Sequence, residues 1–169
     1  MDFSIRRIRT EEHERLGEIT GQAYLGDGFL DFGESDGYLR ELRDVARRAA
    51  EAEVLVAVAD AGELLGGVTF VPAGGPWADI ARPGEAEFRM LAVAQEARGR
   101  GVGEALVRAC VERARAAEGC VRLVLSTQQS MRDAHRIYAR LGFARTPERD
   151  WEPVPGLPAL HTYALELGA

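Results

Sequence analysis

Lysine is missing from all 169 residues, and the 21 basic side chains are arginines. That absence removes Schiff-base chemistry, the lysine of a phosphate loop and any catalytic ammonium group. Cysteine is scarce: Cys110 and Cys120 stand alone, too far apart for a CxxC redox pair and without neighbouring histidines for zinc. A reducing cytoplasm is the expected setting. No disulfide is expected either, because the chain between the two reads as continuous helix. No stretch approaches about 18 consecutive apolar residues, which excludes a membrane-spanning helix. Met1 to Thr10 carries Arg6, Arg7 and Arg9 with no apolar run behind them, so no secretory leader is expected. A net charge of −6 argues against nucleic-acid partners, which need a basic face to displace counterions. His13, His135 and His161 are scattered, and no metal site is expected.

What is present suits one compact domain over residues 1–169. Hydrophobic residues make up 46% of the chain, enough for a core, and no linker, repeat or low-complexity segment interrupts it. Phe3 to Arg9 reads as a short edge strand. Thr10, followed by Glu11, Glu12 and Glu14, reads as a helix start, with a helix running to about Tyr24. Ser35 or Asp36 caps a second helix whose apolar side is Leu39, Leu42, Val45, Ala46 and Ala49. Glu53 to Ala59 and Leu64 to Val71 form a hairpin around Asp60-Ala61-Gly62. Pro72 to Gly84 is a loop long enough to suggest a function. A strand from Glu85 to Val93, a helix from Val102 to about Glu118, a strand from Val121 to Leu125, a helix from Met131 to Leu141 and a strand from His161 to Leu167 complete the order. That order is a mixed α/β sandwich and not a doubly wound sheet.

The informative stretch is Glu87 to Gly103. A strand ending in Leu91-Ala92-Val93 runs into Arg98-Gly99-Arg100-Gly101-Val102-Gly103 and then a helix. Three glycines in five residues allow a tight turn and leave the amides uncovered. At a helix N-terminus, unpaired N–H groups and the dipole form an anion site. Arg98 and Arg100 add positive charge, so the segment reads as a cradle for phosphate or pyrophosphate. A plain structural turn is the alternative. The spacing is not a dinucleotide fingerprint, because Glu104 and Leu106 stand where its third glycine belongs.

With the strand Leu-x-Val, the spacing Arg98-x-x-Gly101-x-Gly103 and the later run Tyr138-Ala139-Arg140-Leu141-Gly142-Phe143, the chain resembles the GNAT superfamily of N-acetyltransferases. The resemblance spans nearly the whole chain. It implies a mixed, mostly antiparallel sheet of about seven strands with about four flanking helices, its fourth and fifth strands splayed apart. It further implies acetyl-CoA as cosubstrate. Leu91, Ala92 and Val93 would bind the pantetheine arm, an N–H there would polarise the thioester carbonyl, and the amides of Gly99, Arg100, Gly101, Val102, Gly103 and Glu104 would hold the pyrophosphate. Tyr138 matches the tyrosine that protonates the departing thiolate; its plainer reading is a core aromatic. Glu87 falls where many members keep a base, with Glu85 as fallback; a surface ion pair with Arg89 or another arginine is the alternative. Strand alternation places Glu87, Arg89 and Leu91 on one face and Phe88 and Met90 on the other. Met131 stands where members often show an asparagine, a contact that Ser130 or Gln129 could replace.

The expected activity is direct acetyl transfer to an amine, with no acetyl-enzyme, since no Ser/His/Asp or Cys/His arrangement supports one. The acceptor stays open between small molecules and peptide N-termini. A non-catalytic acyl-CoA sensor of the same fold is the main alternative, and a homodimer is a possibility the family allows. Tyr24 to Phe29, Trp151 and His161 are candidate walls of an acceptor pocket, while Glu148-Arg149-Asp150 reads as a solvated charge cluster.

Overall fold

The computed structural model describes residues 2–30 and 32–168; Met1, Asp31 and Ala169, which the single-domain reading includes, lie outside the described residues. Seven strands form one sheet in the order β1-β2-β3-β4-β5-β7-β6. They are β1 Phe3–Arg7, β2 Glu53–Ala59, β3 Leu64–Val71, β4 Glu85–Val93, β5 Arg122–Thr127, β6 Ala144–Arg145 and β7 His161–Glu166. Every pairing is antiparallel except that of β4 with β5. The helices are α1 His13–Gly26, α2 Tyr38–Arg43, α3 Val45–Glu51, α4 Val102–Ala116 and α5 Arg132–Arg140. The mixed, mostly antiparallel architecture expected from the sequence is the one found.

Several boundaries differ for local reasons. The second helix is two: at Asp44 the backbone leaves the helical region (φ −85°, ψ 67°), and the Asp44 carboxylate caps α3 by accepting the Arg47 amide at 3.3 Å. Among the described residues five α-helices therefore stand where about four were expected. Asp36, not Ser35, caps the entry to α2, accepting from the Tyr38 amide at 2.9 Å. Ahead of α1 a short 3-10 turn spans Thr10–Glu12, entered as Glu12 reaches back to the Arg9 amide at 2.9 Å, so the α-helix itself starts at His13. α4 ends at Ala116, which puts Cys120 beyond the helix; both cysteines are free.

Adjacent glycines in β3 let helices close on both faces of the sheet. A Cβ at Gly66 would lie 2.5 Å from the Ala92 carbonyl oxygen and 3.4 Å from Val102 of α4; one at Gly67 would lie 2.6 Å from Leu16 of α1. Since neighbouring strand residues point to opposite faces, α4 and α1 cover opposite sides. β4 is where regular pairing breaks. Met90 takes a left-handed φ of 57°, and the register with β3 slips between Gly67 and Thr69. This is a bulge, and it overturns the expected alternation: Phe88 packs with Tyr138 and Phe143, whereas Met90 joins Tyr24, Leu39 and Trp77 beside Arg89.

Candidate active site

β4 and β5 run parallel only from Glu85/Arg122 to Glu87/Val124. Beyond that point the strands diverge, and the β5-facing edge of Phe88 to Val93 has no strand partner. Exposed main-chain donors and acceptors on a sheet edge are ready to pair with an extended ligand. Leu91, Ala92 and Val93 lie on this open edge. A narrow cavity of about 40 Å³ occupies the splay, walled by Phe88, Arg89, Met90 and Leu91 of β4, Ser126 and Thr127 of β5, Tyr24, and Met131, Ala134 and Tyr138. A larger surface hollow of about 300 Å³, walled by Arg108, Arg115, Arg140 and Leu165 among others, shares no wall with it.

The glycine turn leads from the open edge into α4. Gly99 and Gly101 take φ 79° and 80°, the left-handed region in which side chains with a Cβ are strained. A Cβ on either would meet nothing within 4 Å, so the demand is for backbone shape. Gly103 differs: a Cβ there would come within 3.2 Å of Ile137, so this glycine lets α5 approach α4. No side chain caps α4. Among the described residues no backbone acceptor takes the amides of Gly99, Arg100, Gly101, Val102, Gly103 or Glu104 outside the helix itself. Unclaimed donors converging at a helix N-terminus fit a diphosphate. The two arginines do not stand free, however. Arg98 makes a two-pronged pair with Asp27 at 3.0 and 2.7 Å, and Arg100 pairs with Asp2 at 2.7 Å. The site's attraction for an anion is therefore carried by amides and the helix dipole more than by guanidinium charge.

Tyr138 is 4% exposed and faces the splay from α5. Phe88, Phe143 and Tyr163 surround its ring with centroids 5.8, 5.9 and 5.5 Å away. Burial pushes its phenol well above the ordinary tyrosine range, so it is a neutral donor over the whole physiological range. Among the described residues no protein group bonds to its hydroxyl, which stays available to a ligand.

Glu87 does not reach the cavity wall. Its side chain is fully buried, and Oε1 accepts from the amides of Asp79, Ile80 and Ala81 at 3.0, 2.9 and 2.9 Å. It thereby pins the Pro72–Gly84 loop onto the sheet. Oε2 is buried with no partner, and burial raises the carboxyl pKa despite the three amides. The alternative reading as a surface pair with Arg89 fails, because Arg89 pairs with Asp79 instead, at 3.2 Å. Glu85 cannot serve as the fallback base. Burial works against its charge, yet hydrogen bonds from Arg149, the Arg82 amide and Arg122 hold it down at about 2. A carboxylate that tightly held has little affinity for a proton.

That clamp also corrects the reading of residues 148–150 as a solvated cluster. Arg149 is 7% exposed and grips both Glu85 oxygens at 3.0 and 2.7 Å; Asp150 pairs with Arg145 at 2.9 Å and accepts the Thr162 amide. Trp151 donates from Nε1 to Ser126 Oγ at 2.9 Å, which brings it to the cavity rim. His161 sits in β7 opposite Thr127 and does not line the cavity. Gln129 donates to the Ala159 carbonyl at 3.0 Å, while Met131 lines the cavity in its own right and accepts from Thr127 at 3.6 Å. Tyr38, Trp77, Asp79 and Arg48 were not singled out by the sequence, and Arg89 entered only as a pairing partner for Glu87. They come from three separate stretches, and only the Met90 bulge turns Arg89 and Met90 to one side.

Against known proteins, the profile described as the acetyltransferase (GNAT) family matches residues 11–143. The chain belongs to this GNAT family. No curated protein matches it. Among solved structures, a GNAT-family acetyltransferase from Staphylococcus aureus Mu50 superposes with a TM-score of 0.75 at 12% identity, covering 98% of this chain and 99% of that one. A Salmonella typhimurium structure solved with its cofactor acetyl-CoA gives 0.72 at 20%, covering 100% and 96%. A phosphinothricin acetyltransferase of the GNAT superfamily from Sinorhizobium meliloti, in complex with acetyl-CoA, gives 0.71 at 18%, covering 99% and 90%. At these identities the superpositions speak for the fold. The splayed pair, the open β4 edge and the uncovered glycine turn thus belong to a chain with the fold of the GNAT acetyltransferase family. Among the described residues no group of three or more His, Cys, Asp or Glu side chains is placed to hold a metal ion, and no helix is long and apolar enough to cross a membrane.

Proposed function

We propose that the protein moves an acetyl group from acetyl-CoA to a primary amine by direct attack. The observation that carries this reading is the row of unclaimed amides from Gly99 to Glu104 leading along an open strand edge to a cavity walled by a buried, unbonded phenol. When bound, acetyl-CoA supplies an activated acyl thioester. The amides of Gly99 to Glu104 hold its diphosphate, and the free edge at Leu91 to Val93 holds the extended arm and presents an N–H to the carbonyl oxygen. Tyr138, neutral and unbonded at the cavity, is the group that hydrogen-bonds and delivers its phenolic proton to the departing sulfur as charge develops there. Arg98 and Arg100 shape the turn through Asp27 and Asp2.

An alkylammonium must lose a proton before it can attack. Glu87, although it stands behind the cavity wall, is the carboxylate assigned to that proton, relayed by intervening water to its unpartnered Oε2, and its raised pKa suits the task better than the clamped Glu85. Glu87→Gln separates this job from loop anchoring, because the amide oxygen still accepts from residues 79–81. Acetyl-CoA consumption against a panel of amines is the test. Wild type should release CoA in an amine-dependent way, with rates falling at low pH as Glu87 is protonated. Glu87→Gln should lose about 100-fold in kcat while keeping acetyl-CoA affinity. Unchanged rates in Glu87→Gln remove it as the base, and tight acetyl-CoA binding with no turnover on any amine favours a sensor.

A further inference from the structure

We infer that the acceptor carries a carboxylate beside its amine, as an amino acid does, and that Arg89 is the side chain that reads it. The inference rests on the acetyl transfer proposed above.

Arg89 is the one cationic side chain in the wall of the splay cavity, with its side chain 16% exposed. The guanidinium is fixed from three directions: Nε faces Asp79 at 3.2 Å, Nη1 donates to the Trp77 carbonyl at 2.9 Å, and Nη2 donates to the Tyr38 hydroxyl at 3.3 Å. It also lies 5.7 Å from the Trp77 ring centroid. An arginine has five N–H bonds in a rigid fork, so this one is oriented with donors to spare. A preorganised fork in a narrow cavity matches a planar carboxylate.

Charge on this face points the same way. Arg48 is 1% exposed and donates to Thr69 Oγ1 at 3.2 Å and to the Glu41 carbonyl. Among the described residues no carboxylate pairs with it. Thr69 is the cross-strand partner of Arg89, so Arg48 and Arg89 stand behind one rung of the sheet. The acids nearby are committed elsewhere: Glu85 to Arg149 and Arg122, and Glu87 to three loop amides. Asp79, partly open to solvent, is the carboxylate paired with Arg89, while Glu87 acts on it without a direct pair. Arg48 has no paired carboxylate among the described residues, and a buried cation without a close counter-ion is expensive. An anion entering the cavity at Arg89 relieves that imbalance, while a plain alkylammonium brought to the same wall aggravates it. The same field works for catalysis, because it favours the neutral form of the incoming amine.

The test compares amines that differ only by the carboxylate: phenylalanine with phenethylamine, and methionine with 3-(methylthio)propylamine. Wild type should prefer the amino acid of at least one pair by about 10- to 100-fold in kcat/KM. Arg89→Gln should bring that ratio close to one, acting mostly through the KM of the amino acid, and Arg89→Lys should recover part of it. Calorimetry with acetyl-CoA, unchanged in both variants, checks that the fold is intact. Equal or better use of the carboxylate-free amines by wild type overturns the inference and leaves acetyl transfer standing, as does a preference that survives in Arg89→Gln. Acetyl-CoA binding with no turnover on either class overturns both readings.

Discussion

On the α4 side of the splay the groups proposed to bind the cosubstrate are main-chain amides, six in a row from Gly99 to Glu104, and the flanking arginines are spent on Asp27 and Asp2. On the opposite side the working groups are side chains: Glu85, Glu87 and Arg89 of β4, Arg48 of α3, and Arg149 from beyond β6. The difference sets how each side fails. A main-chain site is indifferent to side-chain chemistry and breaks only when φ and ψ are changed. The ion pairs in the side-chain layer, Glu85 with Arg149 and Arg89 with Asp79, break when one member is removed, because the partner left behind stays buried and uncompensated. The cosubstrate side can therefore be rigid while side-chain changes on the acceptor side retune it.

The sharpest way to break the comparison is Glu85→Gln. It strips the counter-charge from Arg149 in the dry part of the layer and should cost about 3–5 kcal/mol in urea unfolding; a loss under about 1 kcal/mol would place the clamp among ordinary surface pairs. The same carboxylate sets a pH dependence. Its folded pKa, near 2, lies below its ordinary value of 4.5, so its contribution is complete above about pH 5 and is lost as pH falls toward 2. Glu87 has the opposite sign. Its pKa is raised on folding, so the folded state binds that proton more tightly and stability declines slightly as pH rises through the titration.

Next in size is Tyr138→Phe, which removes the proton donor and keeps the ring against Phe88 and Tyr163. Turnover should fall about 100-fold, equivalent to about 2.7 kcal/mol in the barrier, with acetyl-CoA affinity unchanged. A rate within threefold of wild type would leave Tyr138 as packing. The smallest effect belongs to the main-chain side. Gly101→Val forces a β-branched residue to φ 80°, which costs about 1–2 kcal/mol. Acetyl-CoA affinity should drop about tenfold with little change in stability under urea beyond that strain, and an unaltered affinity would separate the turn from binding.

The same contrast explains what could be read from the chain. The cosubstrate side lies within residues 91–104, and its demand for left-handed backbone is written as glycine at 99 and 101. The family motif at Tyr138 was equally compact. The strand and helix order followed from local patterning apart from the two-residue β6, which was not read, and boundaries moved where a side chain intervened: Asp44 splits a helix, and a 3-10 turn closed by Glu12 precedes α1. The acceptor side was nearly silent. Arg48, Thr69, Asp79, Arg89 and Arg149 meet only after the sheet forms, and the Met90 bulge reverses the alternation that would have predicted their direction. Arg149 sat in a charged run, Glu148-Arg149-Asp150, that composition alone marks as solvated. Glu87 was found for its chemistry, but its grip on residues 79–81 depends on how the Pro72–Gly84 loop folds back.

Main-chain donors in the 99–104 turn are proposed to hold the diphosphate, and backbone amide NMR during titration with acetyl-CoA reads those donors one by one. The largest shifts should fall on the amides of Gly99 to Glu104, followed by Leu91 to Val93, and should saturate together. Saturable binding that leaves the 99–104 amides unmoved, or no binding at all, would contradict it.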